Sequence, residues 1–425
     1  MFQHETLENG VRLLTAHQDE APSATALVMF GVGSRFETPE QCGIAHFAEH
    51  MFFKGTERRP TARDISVEID GIGGDFNAFT GKEYTGYYVK CAAEHLTLAV
   101  DVLADMLLQS KFDGEEIERE KGVILEEMAM YRDLPQRYVG NVYDELLYGD
   151  TPLGWDIVGT EDVIKGADRD LFRSFIDRWY TANRVVVGLA GNVSAEAKAK
   201  VSESFLDIGA ANEGTRATAQ WSQDGPQVKL HHKDSEQAHL LLGVRAPGLD
   251  SSDRYAIGVM NAILGGGMSS RLFTEIRERR GLCYYVYSHH DAYTDAGSMV
   301  VAAGVDTNRI DLAITTILEE LDKLAKEGPD DAEFQKAKNY LKGKFVLGVE
   351  DPRGLIMFGA RREVVEDGYW EPKQALDAID AVSMDDVRRV ARELFSSEQR
   401  NLAVVGPFDD QERFEKLLAP ATAAV

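Results

Sequence analysis

The chain has 425 residues, 44% of them hydrophobic and 28% charged, a composition that excludes a disordered protein and a length too great for one ordinary core. With 71 acidic against 46 basic residues the formal net charge is −25, so no basic surplus exists to displace counterions and no nucleic-acid partner is expected. No apolar run reaches the roughly 18–20 residues of a membrane span, and the opening MFQHETLENG carries an acid where a signal peptide carries positive charge. No membrane association and a cytoplasmic location are therefore expected. Cys42, Cys91 and Cys283 are odd in number and scattered, which argues against a disulfide framework.

In chain order, a strand from Ala24 (ATALVMF) turns at GVGS into the helix GIAHFAEHMFF, and a second helix, TARDISVEID, ends at glycine. The alternating segments DFNAFT and YTGYYVKC read as a hairpin. Long helices are predicted over 94–109 and 115–131, and LFRSFIDRWY with RVVVGLAG closes the first half as helix and strand. Residues 210–226, AANEGTRATAQWSQDGP, are short of large apolar side chains and rich in turn formers. After them the same order begins again. A strand from Ala238 (AHLLLGV) leads through PGLDSSD to the helices RYAIGVMNAIL and SSRLFTEIRER, then to the hairpin LCYYVYSHH with SMVVAAGV. Helices over 309–326 and 331–344 follow, and DVRRVARELF with RNLAVVG ends the half. The repetition lies in element order and not in residue identity. It implies an α+β fold of two homologous domains, 1–210 and 227–425 with a linker at 211–226, each a mostly antiparallel sheet covered by helices.

Residues 43–51 read GIAHFAEHM. On a helix, side chains at i and i+4 leave in nearly one direction, so His46 and His50 can reach one ion with Glu49 beside them. Neutral imidazoles suit Zn²⁺, and an adjacent carboxylate is placed to take a proton from water. The order H-x-x-E-H stands among zinc-protease signatures, and this composition gives roughly 0.04 chance occurrences of His-x-x-acid-His. The structural alternative is two histidines packed in a core at helical spacing. A catalytic zinc keeps three protein ligands and one open position. The acid-rich stretch 114–131, GEEIEREKGVILEEMAMY, is the best source of the third. Glu120 and Glu127 lie two turns apart and share a face beside the apolar stripe of Ile117, Ile124 and Met128. Spacing does not choose among Glu116, Glu120, Glu126 and Glu127, each of which also suits a solvated face.

At this point the chain closely resembles the pitrilysin/insulinase family of zinc peptidases, over essentially its whole length. The strongest stretches are GIAHFAEHMFFKGTERRP from Gly43, NAFTGKEYTGYY from Asn77 and IEREKGVILEEM from Ile117. Within the family it is similar to bacterial homologues of the mitochondrial processing peptidase, its first half looking most like that enzyme's catalytic β subunit. The family pattern is HxxEH followed by a glutamate 77 residues after the second histidine, which falls on Glu127. The resemblance thus implies one Zn²⁺ per chain, held by His46, His50 and Glu127, with Glu49 as general base. It implies Glu120 as the outer partner that holds a ligand histidine. PLGWDIVGT from Pro152 matches a recurrent family stretch, with Trp155 where a basic residue is common.

The resemblance also implies that a peptide substrate lies extended along DFNAFT, at Asn77, Ala78 and Phe79. In the second half, IRERRGLCYY places Arg277 seven residues before Tyr284, similar to the family's arginine–tyrosine pair near the scissile carbonyl. Read by themselves, these are a cation in a helix's last turn and a strand aromatic. The implied function is a zinc metalloendopeptidase that cleaves peptides or unfolded segments inside a chamber enclosed by two chains. Full-length insulinase relatives carry four such domains, with the zinc motif in the first and the arginine–tyrosine pair in the last. This chain has two, so a homodimer with composite active sites is expected. The rival is a non-catalytic partner subunit of a heterodimeric processing peptidase, a type that lacks an intact HxxEH. Gly188 and Gly191 follow a strand without forming G-x-G-x-x-G, which points away from a dinucleotide site. Gly265–Gly267 with Ser269 and Ser270 reads as a turn and helix cap, and His289–His290 as a solvent-facing pair.

Overall fold

The computed structural model describes residues 1–209, 214–220, 222–366 and 368–419. The chain forms two compact units that alternate along the sequence. Met1–Met128, Asp156–Ala217 and Val346–Pro372 make the first, and Ala129–Trp155, Thr218–Phe345 and Lys373–Val425 the second. One cut at 211–226 therefore does not separate them, because each half of the sequence lends a segment to the other unit. The described linker residues, 214–220 and 222–226, form no helix or strand. Residues 210–213 and 221 of that linker lie outside the described ones.

The first unit's sheet contains β1 (Gln3–Thr6), β2 (Arg12–His17), β3 (Ser23–Phe30), β4 (Asp75–Thr80), β5 (Thr85–Ala92) and β6 (Val185–Gly191). They run in the order β1-β2-β6-β3-β5-β4, antiparallel except where β2 meets β6. The apolar runs SATALVMF and VVVGLAG are buried almost throughout, as strands covered on both faces must be. Part of that cover comes from the far end of the chain. Leu355, Ile356 and Ala360 of helix Pro352–Val365 pack on Leu14, Leu27, Met29 and Val186. Gly188 allows the approach, since a Cβ there would stand 2.4 Å from Ile356 Cγ1. Gly188→Ala is expected to lever this helix off the sheet at a cost of about 1–3 kcal/mol, the usual range for overpacking. Chemical denaturation measures it, and an unchanged midpoint would show that the helix does not press on β6.

The second unit repeats the plan with β7 (Gln227–His232), β8 (Gln237–Ala246), β9 (Cys283–Ala292), β10 (Gly297–Asp306) and β11 (Arg400–Gly406). Their order is β7-β11-β8-β10-β9, parallel only between β7 and β11. Helix Pro135–Tyr148, lent by the first half of the sequence, sets Val139, Val142, Tyr143 and Leu147 against Leu241, Val300, Ala302 and Val405. Helices Arg254–Gly265, Ile310–Glu327 and Met384–Leu394 build a second core with Leu240, Leu242 and Val301. Both hairpins read from the sequence form, β4 with β5 and β9 with β10. The segment SSRLFTEIRER departs from the ordinary helix it predicts, because Phe273–Arg279 winds as a π-helix. Cys42, Cys91 and Cys283 are free thiols. Among the described residues no helix is long and apolar enough to cross a membrane.

Candidate metal centre

Helix Ile44–Phe52 turns Ile44, Ala45, Phe47, Ala48, Met51 and Phe52 into the core. Phe47 meets Phe172 edge-on at 4.9 Å and Phe52 meets Phe112 at 5.2 Å, contacts that fix the helix against rolling. The polar side then follows from the helical period. His46 and His50 stand one turn apart with ring centroids separated by 4.8 Å, and Glu49 lies beside them.

Helix Gly114–Asp133 supplies a carboxylate to both rings. Glu127 Oε2 is 3.8 Å from His46 Nε2 and 3.6 Å from His50 Nε2. Ligand atoms of His46, His50 and Glu127 lie within 4.8 Å of one another, the only such group among the described residues. Of the other glutamates that spacing left open, Glu116 pairs with Arg119 and Glu126 is exposed. Glu120 is buried, with Oε1 2.9 Å from His50 Nδ1 and Oε2 2.5 Å from Lys54 Nζ. Burial pushes the Glu120 carboxyl up, but hydrogen bonds from His50 and Lys54 outweigh it and hold it below its ordinary value.

The donor set fits a catalytic zinc. Burial, then the neighbouring His50, brings His46 down to about 4 against the pull of Glu127, so its imidazole is neutral at pH 7. His46 Nδ1 is buried with no hydrogen-bond partner among the described residues, and its Nε2 faces Glu127. Glu120 engages His50 at Nδ1, which leaves the Nε2 lone pair on the Glu127 side. Two imidazole nitrogens and one carboxylate oxygen are a three-ligand set with an open fourth position.

Glu49 stands outside this group. Thr80, the last residue of β4, donates its hydroxyl to Glu49 Oε2 at 2.5 Å. Burial raises the Glu49 carboxyl, Thr80 and His50 pull it down, and Glu127 adds to the rise, leaving it above its ordinary value. Asn77, Ala78 and Phe79 precede Thr80 on β4, which among the described residues pairs with β5 alone and so presents an open edge. Phe79 folds over Gly86, where a Cβ would come within 2.2 Å of its ring.

Arg277 and Tyr284 belong to the second unit, so the expected site residues fall into two groups. The Arg277 guanidinium lies 4.8 Å from the Phe273 ring centroid and 5.7 Å from that of Tyr284, and Tyr284 is 76% exposed. His289 and His290 are only half-exposed, one pairing with Asp291 at 3.1 Å and the other 3.1 Å from the Pro247 carbonyl. Gly267 accepts the Ser270 N–H at 3.0 Å in a turn before the next helix. Two residues around the metal group were not singled out from the sequence. Lys54 repeats the i, i+4 step that links His46 to His50, a signal that was available. Thr80 had none, because its place beside Glu49 depends on how the β4–β5 hairpin docks.

The family profile described as Insulinase (Peptidase family M16) matches residues 12–161, and that of the Peptidase M16 inactive domain matches residues 166–341. The chain is 38% identical over 408 residues to the uncharacterized zinc protease YmxG of Bacillus subtilis, covering 96% of this chain and 98% of that protein. It is 39% identical over 417 residues to the uncharacterized zinc protease ML0855 of Mycobacterium leprae, covering 97% and 93%. A crystal structure of a protease from Helicobacter pylori matches with a TM-score of 0.89 at 23% identity, covering 95% of this chain and 99% of that one, a likeness of fold. With the two profiles and these relatives spanning nearly its whole length, the chain belongs to the insulinase family, peptidase family M16.

Proposed function

We propose that the chain is a zinc metalloendopeptidase whose metal is held by His46, His50 and Glu127. The observation that carries this is the convergence of their ligand atoms within 4.8 Å. A zinc ion held there supplies Lewis-acid polarisation of the scissile carbonyl. The remaining chemistry belongs to the chain. Glu49 takes a proton from the attacking water and passes it to the leaving amine. Its raised carboxyl affinity suits a group that must hold that proton between the two transfers. A peptide laid along the open edge of β4 runs toward Thr80 and hence toward Glu49. Backbone pairing to that edge, at Asn77, Ala78 and Phe79, accepts varied sequences. Tyr284, held by Arg277, stabilises the developing oxyanion, in a homodimer that encloses the substrate.

Purified protein assayed on a quenched peptide, with and without a chelator, tests the reading directly. Cleavage that disappears on chelation and returns with zinc is expected. Absence of cleavage by zinc-loaded protein would favour the non-catalytic partner subunit. Within the metal group, Glu127→Gln is expected to weaken zinc binding by replacing a ligand carboxylate with an amide. Glu120→Gln is expected to weaken it less, in the ~10–100-fold range typical of outer partners. Zinc retained after dialysis against a weak chelator measures both. Faster loss from the Glu120 variant would exchange the two roles.

A further inference from the structure

The helix that carries His46, Glu49 and His50 has no cap of its own. Its first turn holds no acid, and its N-cap is Gly43, which offers no side chain. The orphan donors are met from elsewhere in the chain. Glu37 is 5% exposed, and its Oε2 accepts the Gly43 N–H at 2.9 Å while its Oε1 accepts the Ala45 N–H at 2.8 Å. Burial raises this carboxyl and outweighs the downward pull of the two N–H donors and Lys82, leaving it at about 8. Each carboxyl oxygen thus meets one backbone N–H at the start of the helix. In its ionised form the carboxyl also meets the positive end of the helix.

A second contact closes on the same end. Gly43 has φ +99° and Gly159 φ +86°, conformations that favour glycine. A Cβ on Gly43 would stand 2.6 Å from Gly159 Cα, and one on Gly159 would stand 2.3 Å from the Cys42 carbonyl oxygen. Two backbones thus touch with no side chain between them. Gly159 lies in PLGWDIVGT, the stretch to which neither the metal group nor the substrate edge gives a role.

We infer that Glu37 and Gly159 are positioning residues that clamp the N-terminal end of helix Ile44–Phe52 and so fix where His46, Glu49 and His50 stand relative to Glu127. The inference rests on the peptidase reading. His46 is one residue beyond the clamped Ala45 N–H, and His50 is one further turn along a nine-residue helix. A small shift of the clamped end therefore moves two ligands and the base together, while Glu127 on the other helix stays in place. Misplacement of reacting groups by about 1 Å can cost on the order of 10²-fold in rate. The substrate edge β4 is not part of the clamp, so KM is spared.

Glu37→Gln keeps the shape of the side chain but sets an amide NH₂ against one N–H donor. We expect its zinc affinity, measured by chelator competition, to fall about 10-fold, and kcat to fall about 10- to 100-fold with KM within about 2-fold. Gly159→Ala should act the same way and more strongly. The control is Ser194→Ala, which removes an ordinary side-chain cap from helix Ala195–Ser204 in the same unit. It should lower thermal stability as much as Glu37→Gln, yet leave zinc affinity and kcat at the wild-type values. If Gly159→Ala does not fold, Glu37→Gln decides alone. Zinc affinity and kcat in Glu37→Gln equal to those of Ser194→Ala would overturn the clamp. A wild-type protein that neither retains zinc nor cleaves peptide would instead overturn the peptidase reading beneath it.

Discussion

Glu49→Gln is expected to abolish peptide hydrolysis while the protein keeps its zinc. The loss should be at least the ~10²–10⁴-fold that follows removal of a general base. The reason is geometric. Glu49 is not among the atoms that converge on the metal position, which come from His46, His50 and Glu127. Among the described residues its one hydrogen bond is from Thr80, which donates to Oε2, and the amide oxygen of glutamine can accept that hydrogen bond equally well. The helix stays seated through Phe47 and Phe52, so His46 and His50 keep their places. What the amide cannot do is take a proton from water. Metal analysis beside a peptide assay separates the two functions. Zinc lost with cleavage retained would mean that Glu49 is a ligand and that another group is the base.

The parts of this site that could be read from the sequence are those written within one helix. His46, Glu49 and His50 share a turn and a half, and the 3.6-residue period alone sets them side by side. Glu127 could not be reached this way. Its helix offers several glutamates, and which one faces the histidines depends on how two helices cross, a tertiary fact that local period does not contain. The structure separates them by surroundings: Glu120 lies buried between His50 and Lys54, while Glu127 faces the Nε2 atoms. The same limit governs the fold. Element order along each half was legible because alternation and helical period are local signals. The exchange of helices Pro135–Tyr148 and Pro352–Val365 between the units was not, because nothing in an amphipathic segment states which sheet will cover it. A Cβ on Gly188 would run into Ile356 and one on Gly243 into the Tyr143 hydroxyl, so both strand glycines leave room for an exchanged helix, yet in sequence they look like breaks in apolar runs. Glu37 was invisible for a further reason. A capping acid normally sits beside its helix, and this one caps from six and eight residues before the N–H groups it accepts.

Two inactive variants, mixed, are expected to regain activity. The metal group lies in the first compact unit and the Arg277–Tyr284 pair in the second. In the proposed homodimer each site takes its metal group from one chain and Tyr284 from the other. Glu49→Gln then spoils both sites of its own dimer, and so does Tyr284→Phe. In a heterodimer of the two variants, both lesions fall in one site, and the other keeps an intact base and an intact tyrosine. Random exchange makes about half the molecules heterodimers with one working site of two, so activity should recover to about a quarter of wild type, by the isologous symmetry of a twofold dimer. Subunit exchange has to be followed independently, by native mass spectrometry on chains of distinguishable mass, so that absence of mixing is not mistaken for absence of complementation. Zinc content should stay at the wild-type value throughout, since neither substitution touches His46, His50 or Glu127. Full exchange with no recovery would mean that each chain builds its site alone, and the tyrosine would then act within its own chain or not at all.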